Sequence, residues 1–373
     1  MMNPVRLVSA AAIAAALGLC AGGAIAQANP DPAPTSAATP DKSPWTKPAK
    51  PGDRHAAGYT APHLASGQPD LQGVWSNASN TTMSRPAKFK SLVMTDAENK
   101  AAVDANPANV RQKTDDNQKE SDGLLTGKDL ASGRGYNAFW IDPGKAYANI
   151  KGEWHTSWIV DPPSGQVPFS EDGRKLMASN RKPRGSGYDN PEERSAGERC
   201  IVGFGGTGGP PMMNVLYNNN YRISQSPSAV VITVEMNHDA RIIPLNARHK
   251  PSEIKPYLGD SICWWEGDTL VVETINQNPN GASQVQLTPS GKIIERFTRY
   301  DNDQILYEFE VVDPALYTQT WKGEVALNRT KGEMYEYACH EGNYGLHGIL
   351  EGGRNNDRMG KSNARNNDRG DEG

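Results

Sequence analysis

The chain has 373 residues and a formal net charge of −4, with 22% charged and 36% hydrophobic residues. This mildly acidic composition argues against a nucleic-acid partner, because binding a phosphate backbone requires basic stripes. Glycine and proline number 37 and 27, and since both interrupt helices, the composition excludes a protein built of long helices. Four cysteines are too few for a disulfide scaffold.

The first residues, 1–26, are typical of a secretory signal peptide. Arg6 supplies a positive charge, residues 7–19 form a short apolar run, and Ala-Ile-Ala at 24–26 provides small residues before a cleavage point. The run is too short for a membrane-spanning helix, and no later apolar stretch reaches the required length. We therefore expect an exported protein, periplasmic or secreted, without a membrane span.

Low-complexity segments flank the part of the chain that we expect to fold. Residues 27–68 are rich in proline, alanine and small polar residues, and residues 351–373 contain the string RNNDR twice. Neither segment carries enough apolar surface to offset the entropy that ordering would cost. We expect disorder in both segments and a single β-rich domain over residues 69–350.

Helical signals are few. The string TDAE at 95–98 fits a capping box, which predicts a short helix that ends near Ala105. Residues 171–179 predict a second short helix. Between these helices, residues 106–135 are polar and glycine-rich, and we expect a long excursion on the surface.

Most of the remaining chain shows the periodicity of short strands. Runs of β-branched or alternating apolar residues are separated by clusters of Asp, Asn, Pro or Gly, as in antiparallel strands joined by turns. The expected fold is therefore all-β, an antiparallel meander that closes as a barrel, calycin-like in one form, or packs as a sandwich. The predicted strands are 156–160, 166–169, 229–235, 241–245, 262–265, 269–274, 292–299, 304–311, 320–328 and 334–339.

Several strings are recognisable as a set. They are TSWIVDPPSG at 156–165, ER at 193–194 with ERC at 198–200, WEGDTLVVET at 265–274 and YEYACHEGNY at 335–344. Together they resemble a broad family of exported proteins of Gram-negative bacteria. The resemblance covers residues 70–355 and implies one exported, β-rich domain. It implies no activity, so function has to be inferred from the residues themselves.

Three cysteines follow the signal peptide. Cys200 and Cys339 lie in the strings of the resemblance, whereas Cys263 stands apart. Because two of three thiols would pair in an oxidising compartment, we predict a Cys200–Cys339 disulfide. The alternative is a nucleophilic Cys339 with His340 as its base. Neighbouring residues of a strand point to opposite faces, which argues against that pair.

The densest polar cluster surrounds the end of the predicted strand 334–339. A barrel mouth would place such side chains around a ligand. Imidazole transfers protons near neutral pH, and tyrosine or a carboxylate can be its partner. A strand-end turn with only structural roles is the alternative that stays open. The candidate catalytic residues are His340, Glu341, Tyr337 and Tyr344, and Asn343 is a candidate for substrate binding.

A second cluster surrounds the predicted turn at residues 237–239. Glu235 and His238 are candidates for proton transfer, and Arg241 is a candidate for binding an anionic group of the substrate. Asparagine, histidine and aspartate are also ordinary turn residues, so a purely structural role is equally open.

Metal and sugar binding have weaker signals. His238, His249, His340 and His347 have acidic residues nearby, a combination that suits zinc or another transition metal. Their spacing fits no zinc motif, so we predict no cofactor and keep a divalent metal as the alternative. Trp265 is a candidate for stacking on a sugar, although tryptophans in strands mostly belong to the core.

We predict an exported acid–base enzyme, a lyase or hydrolase, that acts on a saccharide-like or aromatic small molecule. A non-catalytic carrier with a calycin-like pocket and an envelope-associated protein are the alternatives. The enzyme hypothesis requires His238, His340 and a carboxylate in one pocket. The carrier hypothesis instead predicts an apolar lumen with few ionisable groups.

Overall fold

The computed structural model describes residues 54–110, 142, 144–180, 187–188, 190–281 and 283–360. The predicted signal peptide, most of the predicted leader, most of the predicted excursion and the end of the predicted tail lie outside the described residues. Within the described part of the chain, no helix combines the length and apolarity needed to cross a membrane.

The described residues form a large antiparallel sheet, a small second sheet and a few helices. In chain order the elements are β1 (Gly73–Ser76), β2 (Val93–Met94), α1 (Asp96–Asp104), β3 (Ala148–Ile150), β4 (Glu153–His155), β5 (Ile159–Asp161), α2 (Glu171–Asn180), β6 (Asn220–Gln225), β7 (Ala229–Val234), β8 (Ala240–Pro244), β9 (Asp260–Glu266), β10 (Thr269–Ile275), β11 (Lys292–Arg299), β12 (Gln304–Val312), β13 (Trp321–Arg329) and α3 (Tyr344–Arg358). The large sheet has the order β8-β7-β6-β1-β13-β12-β11-β10-β9, and the small sheet has the order β2-β4-β3.

Two meanders build the large sheet and curl it into a barrel. Strands β6–β8 and strands β9–β13 each follow one another along the chain, and β1 joins them by pairing with β6 and β13. The two edge strands, β8 and β9, approach each other at a parallel bridge between Leu245 and Cys263. The barrel is therefore nearly closed, with a seam between β8 and β9.

Large side chains pack the interior of the barrel. The rings of Phe297 and Tyr307 stack with 4.7 Å between centroids, and Phe309 meets Trp321 edge-on at 5.8 Å. Gly323 lies opposite Phe309 in the register of β12 and β13, and a Cβ at Gly323 would collide with the Phe309 ring. These rings are fully buried, so they form a packed core, as the side chains of small barrels do.

The sequence predicted this fold class correctly. The all-β, antiparallel barrel is confirmed, and β7 to β13 match the predicted strands within a residue or two at each end. Helix α1 is also confirmed, together with its capping box between Thr95 and Glu98. Helix α2 coincides with the second predicted helix.

Three predicted strands form differently. Residues 156–160 and 166–169 do not make a hairpin, because β5 pairs with β13 instead. Residues 334–339 are not a strand. Their backbone is held by a side chain, since Glu235 Oε1 accepts a hydrogen bond from the Tyr335 N–H at 3.0 Å. Tyrosine alternates with other residues in this segment, which suggested a β-strand paired with a neighbour. The structure shows this side-chain hydrogen bond and no strand pairing there.

The sequence did not predict α3. Asn343 begins it, because its side chain accepts a hydrogen bond from the Leu346 N–H at 3.3 Å. Glycine and asparagine have low helix propensity, so the composition of this segment predicted a turn followed by a tail. Helix α3 ends only at Arg358, and it therefore extends into the segment 351–373.

Candidate functional site

A cleft of about 620 Å³ lies at the seam of the barrel, beside the first residues of β8 and β9. The two strands bridge at Leu245 and Cys263, which leaves room between them at their beginnings. Four parts of the chain line the cleft, and they fall within residues 200–202, 237–244, 248–262 and 337–341.

The cleft brings together four of the predicted catalytic residues. His238 comes from the turn between β7 and β8, and Tyr337, His340 and Glu341 come from the segment that precedes α3. Both histidines and Glu341 are exposed, and Tyr337 is half-buried. Two imidazoles and a carboxylate thus share one cavity, although the sequence separates the two clusters widely.

A disulfide fixes one wall of the cleft. The predicted Cys200–Cys339 bond is confirmed, with 5.7 Å between the Cα atoms. Both cysteines line the cleft, and Cys339 directly precedes His340. The bond therefore holds the segment that carries His340 and Glu341 against residues 200–202. The predicted alternative, a nucleophilic Cys339, is excluded because its sulfur is in the disulfide.

Asp239 is a buried carboxyl group in the cleft, next to His238. Its two oxygens accept hydrogen bonds from the Gly203 N–H at 2.7 Å and from Asn237 Nδ2 at 3.1 Å. Burial raises the pKa of Asp239, and the two hydrogen bonds and His238 partly oppose this increase. A carboxyl group with a raised pKa beside a histidine is typical of sites that transfer protons. The sequence placed Asp239 in the second polar cluster without naming it as a catalytic candidate.

Arg241 lines the cleft, but its guanidinium group already has a partner inside the barrel. Its Nη1 donates to Glu295 Oε1 at 2.9 Å, and its Nη2 donates to the other carboxylate oxygen. Tyr307 donates its hydroxyl to the same carboxylate at 2.7 Å. Burial opposes the charge on Arg241, but the Glu295 carboxylate outweighs it and raises the pKa of the guanidinium. The predicted anion-binding role is therefore largely taken by Glu295.

His249 holds the connection between β8 and β9 against the barrel. Its Nδ1 lies 2.9 Å from Asp260 Oδ2, and its Nε2 lies 3.3 Å from Glu273 Oε1. Burial opposes the imidazolium, but the two carboxylates outweigh it, so the pKa of His249 is raised. The residues on either side of it, Arg248 and Lys250, both line the cleft. Neither residue was a candidate from the sequence, although both belong to the basic string RHK at 248–250.

Two of the predicted site residues outside the cleft lining have structural roles. Glu235 is buried, and its Oε2 accepts a hydrogen bond from Asn220 Nδ2 at 2.7 Å while Oε1 anchors Tyr335. Asn343 caps α3 and donates from Nδ2 to the Glu198 carbonyl oxygen at 2.9 Å. Both polar side chains therefore connect segments of the fold, and neither lines the cleft.

The other two residues also lie away from the cleft lining. Tyr344 is 82% exposed at the beginning of α3. Trp265 is partly buried and packs against the core of the barrel, as most tryptophans in strands do. Neither side chain is placed to act on a ligand in the cleft.

A metal centre has no support in the described part of the chain, where no group of His, Cys, Asp or Glu side chains is arranged to hold an ion. Of the four histidines considered for metal binding, His249 is engaged with two carboxylates. His347 lies on α3 near Glu351, with 3.7 Å between Nδ1 and Oε2. His249 and His347 therefore each have a carboxylate partner of their own, and only His238 and His340 line the cleft.

Comparisons of the chain with protein-family models, with curated proteins and with solved structures find no match. The resemblance of the sequence strings to exported bacterial proteins therefore stays a prediction. The function has to be inferred from the cleft.

Proposed function

We propose that the protein is an exported acid–base enzyme, a lyase or hydrolase, that acts on a saccharide-like or aromatic small molecule in the cleft. The observation that carries this proposal is the convergence of His238 and His340 on one cavity. The sequence pointed to each histidine separately, and the barrel topology brings both to the same seam.

Proton transfer is the chemistry that these side chains perform best. One histidine removes a proton, from the substrate carbon in a lyase or from the attacking water in a hydrolase. The other histidine, or Tyr337, donates a proton to the leaving oxygen. Glu341 accepts a hydrogen bond from a substrate hydroxyl or an imidazole. Asp239, whose pKa is raised by burial, keeps a carboxyl group that can be protonated beside His238. No metal or redox cofactor takes part in these steps.

Export is part of the same proposal. A disulfide in a single protein domain persists in oxidising compartments such as the periplasm or the cell exterior. The Cys200–Cys339 bond therefore supports the signal peptide predicted at residues 1–26.

A non-catalytic binding protein is the second candidate, and the apolar part of the cleft lining favours it. Tyr257, Leu258 and Ile262 lie among the lining residues and can pack against an aromatic ring or the apolar face of a sugar. Because the barrel interior is filled by large rings, this carrier would hold its ligand at the seam.

A substrate screen tests the proposal. The purified mature protein is incubated with a panel of glycosides, uronates and aromatic esters, with and without a metal chelator. We expect turnover that the chelator leaves unchanged. The double variant His238→Ala/His340→Ala should lose about a hundredfold or more in kcat/KM, since a general acid or base contributes on that order.

The matched control is His347→Ala, which removes an exposed histidine of α3 that does not line the cleft. It should turn over at the wild-type rate. Full activity in the double variant would refute the site assignment, and activity abolished by the chelator would refute a metal-free mechanism. Compounds that bind without reacting would favour the carrier.

A further inference from the structure

We propose that the ligand of the cleft carries a carboxylate and that Arg248 and Lys250 bind it. The inference rests on the proposed function in one respect, namely that the cleft is where the substrate binds. It names the chemical class of that substrate and moves the predicted anion contact from Arg241 to the neighbouring loop.

The first observation is that the loop held by His249 places two cationic residues, Arg248 and Lys250, at the cleft. The His249 ring lies between Asp260 and Glu273, so its loop is held close to the barrel. Arg248 and Lys250 flank His249, and both line the cleft. Both are exposed at its wall. A guanidinium fork binds the two oxygens of a carboxylate in parallel, and an ammonium adds a flexible donor.

The second observation is that the acidic residues of the cleft mostly have partners within the protein. Asp239 accepts from Gly203 and Asn237. Asp260 accepts from the Lys250 backbone N–H at 2.8 Å and pairs with His249. Lys250 Nζ itself lies 3.7 Å from Asp260 Oδ1. These acceptors are therefore occupied within the protein, whereas Arg248 lines the cleft without an ion pair among the described residues. An acceptor-rich ligand complements this excess of donors.

The third observation is an unpartnered donor on a buried residue of the cleft lining. Arg241 is nine-tenths or more buried and lines the cleft. Its two terminal nitrogens serve Glu295, but Nε has no hydrogen-bond partner among the described residues. A buried N–H without an acceptor is costly, so this side of the seam retains one donor that no described residue satisfies.

The apolar lining restricts the rest of the ligand. Tyr257, Leu258 and Ile262 line the same cavity and suit a ring, either that of a sugar or that of an aromatic acid. The shared feature of the two classes is a carboxylate on a ring.

The test compares ligands that differ in charge. Titration calorimetry at low salt measures glucuronate against glucose, and benzoate against benzyl alcohol, with inorganic phosphate as a further probe. We expect both acids, or the acid with the matching ring, to bind at least about tenfold more tightly than the neutral partner. Added salt should weaken this binding, because the contacts are electrostatic.

The variant Arg248→Gln should remove most of this preference. Lys255→Gln is the matched control, because Lys255 is an exposed cation of the same loop that does not line the cleft. Its binding should equal that of the wild type. Arg248 is exposed, so the variant is expected to fold, and its melting temperature checks this.

Equal affinity for acid and neutral partner, no binding of either acid, or tighter binding of phosphate than of both acids would each overturn the inference. Its failure is distinguishable from that of the proposed function. Loss of turnover in the histidine variants without any preference for acids would leave acid–base catalysis standing and remove the carboxylate site. Carboxylate binding together with full turnover in the histidine variants would support the carboxylate site and refute the assignment of the histidines to catalysis.

Discussion

His155 shows how burial decides the chemistry of a single side chain. It ends β4, is only 3% exposed, and its Nδ1 has no hydrogen-bond partner among the described residues. Burial lowers the pKa of His155 to about 4, against a weak opposing effect of Glu153. The ring is therefore neutral in the folded protein at pH values where an unfolded chain would protonate it.

This shift predicts a loss of stability in acid. The folded pKa is depressed, so the contribution of His155 is complete above the ordinary histidine pKa and is lost as the pH falls towards 4. We expect the loss to reach about 3 kcal/mol. Urea unfolding of the wild type and of His155→Gln between pH 7 and pH 4 measures it. Parallel profiles for the two proteins would contradict the prediction.

Residue types alone pointed to part of the candidate site. Histidine, tyrosine and glutamate near strand ends suggested proton transfer, and His238, Tyr337, His340 and Glu341 do line the cleft. Glu235 suits the same chemistry, but its oxygens are occupied by the fold. Whether a polar side chain faces a cavity or connects two segments depends on tertiary contacts that local sequence does not encode.

At the scale of elements, strands with regular alternation and turn residues could be predicted, and β7 to β13 were. Strand β1 has only four residues, Gly73–Ser76, which is too short for a periodicity to appear. Helix α3 contains several glycines and asparagines, so its propensity is low. Such elements depend on their neighbours, here on β6 and β13 for β1 and on the Asn343 cap for α3.

The segment that precedes α3 depends on the disulfide. The bond joins residues with a sequence separation of 139, and a loop of that length corresponds to about 5 kcal/mol in the chain-entropy account. We expect Cys200→Ser/Cys339→Ser to lose stability on that order and to weaken ligand binding in the cleft, because His340 loses its anchor. Denaturant unfolding and ligand titration measure the two effects.

The matched control for the disulfide variant is Cys263→Ala. Cys263 is a fully buried free thiol whose pKa burial raises to about 12, and it does not line the cleft. Its replacement should leave ligand binding unchanged, with only a modest loss of packing. Wild-type stability and binding in the double serine variant would show that the disulfide does not support the site.

At the scale of the molecule, the packed interior of the barrel and the candidate site at its seam are different regions. Its interior is filled by stacked rings and by the buried Arg241–Glu295 pair, whereas the seam between β8 and β9 is where the packing opens. Strand order made this seam, since β8 and β9 follow each other in the chain but lie at opposite edges of the sheet. A sequence predicts the strands themselves more readily than it predicts which two will form the edges of the sheet.

The central claim is that His238 and His340 act together in one reaction. The most direct test is a comparison of kcat/KM for the wild type, His238→Ala, His340→Ala and the double variant on a substrate found by the screen. We expect each single variant to lose about a hundredfold or more, and the double variant to lose little beyond the worse single one, as for residues that act as a unit. Wild-type kcat/KM in either single variant, or losses that multiply in the double variant, would contradict the claim.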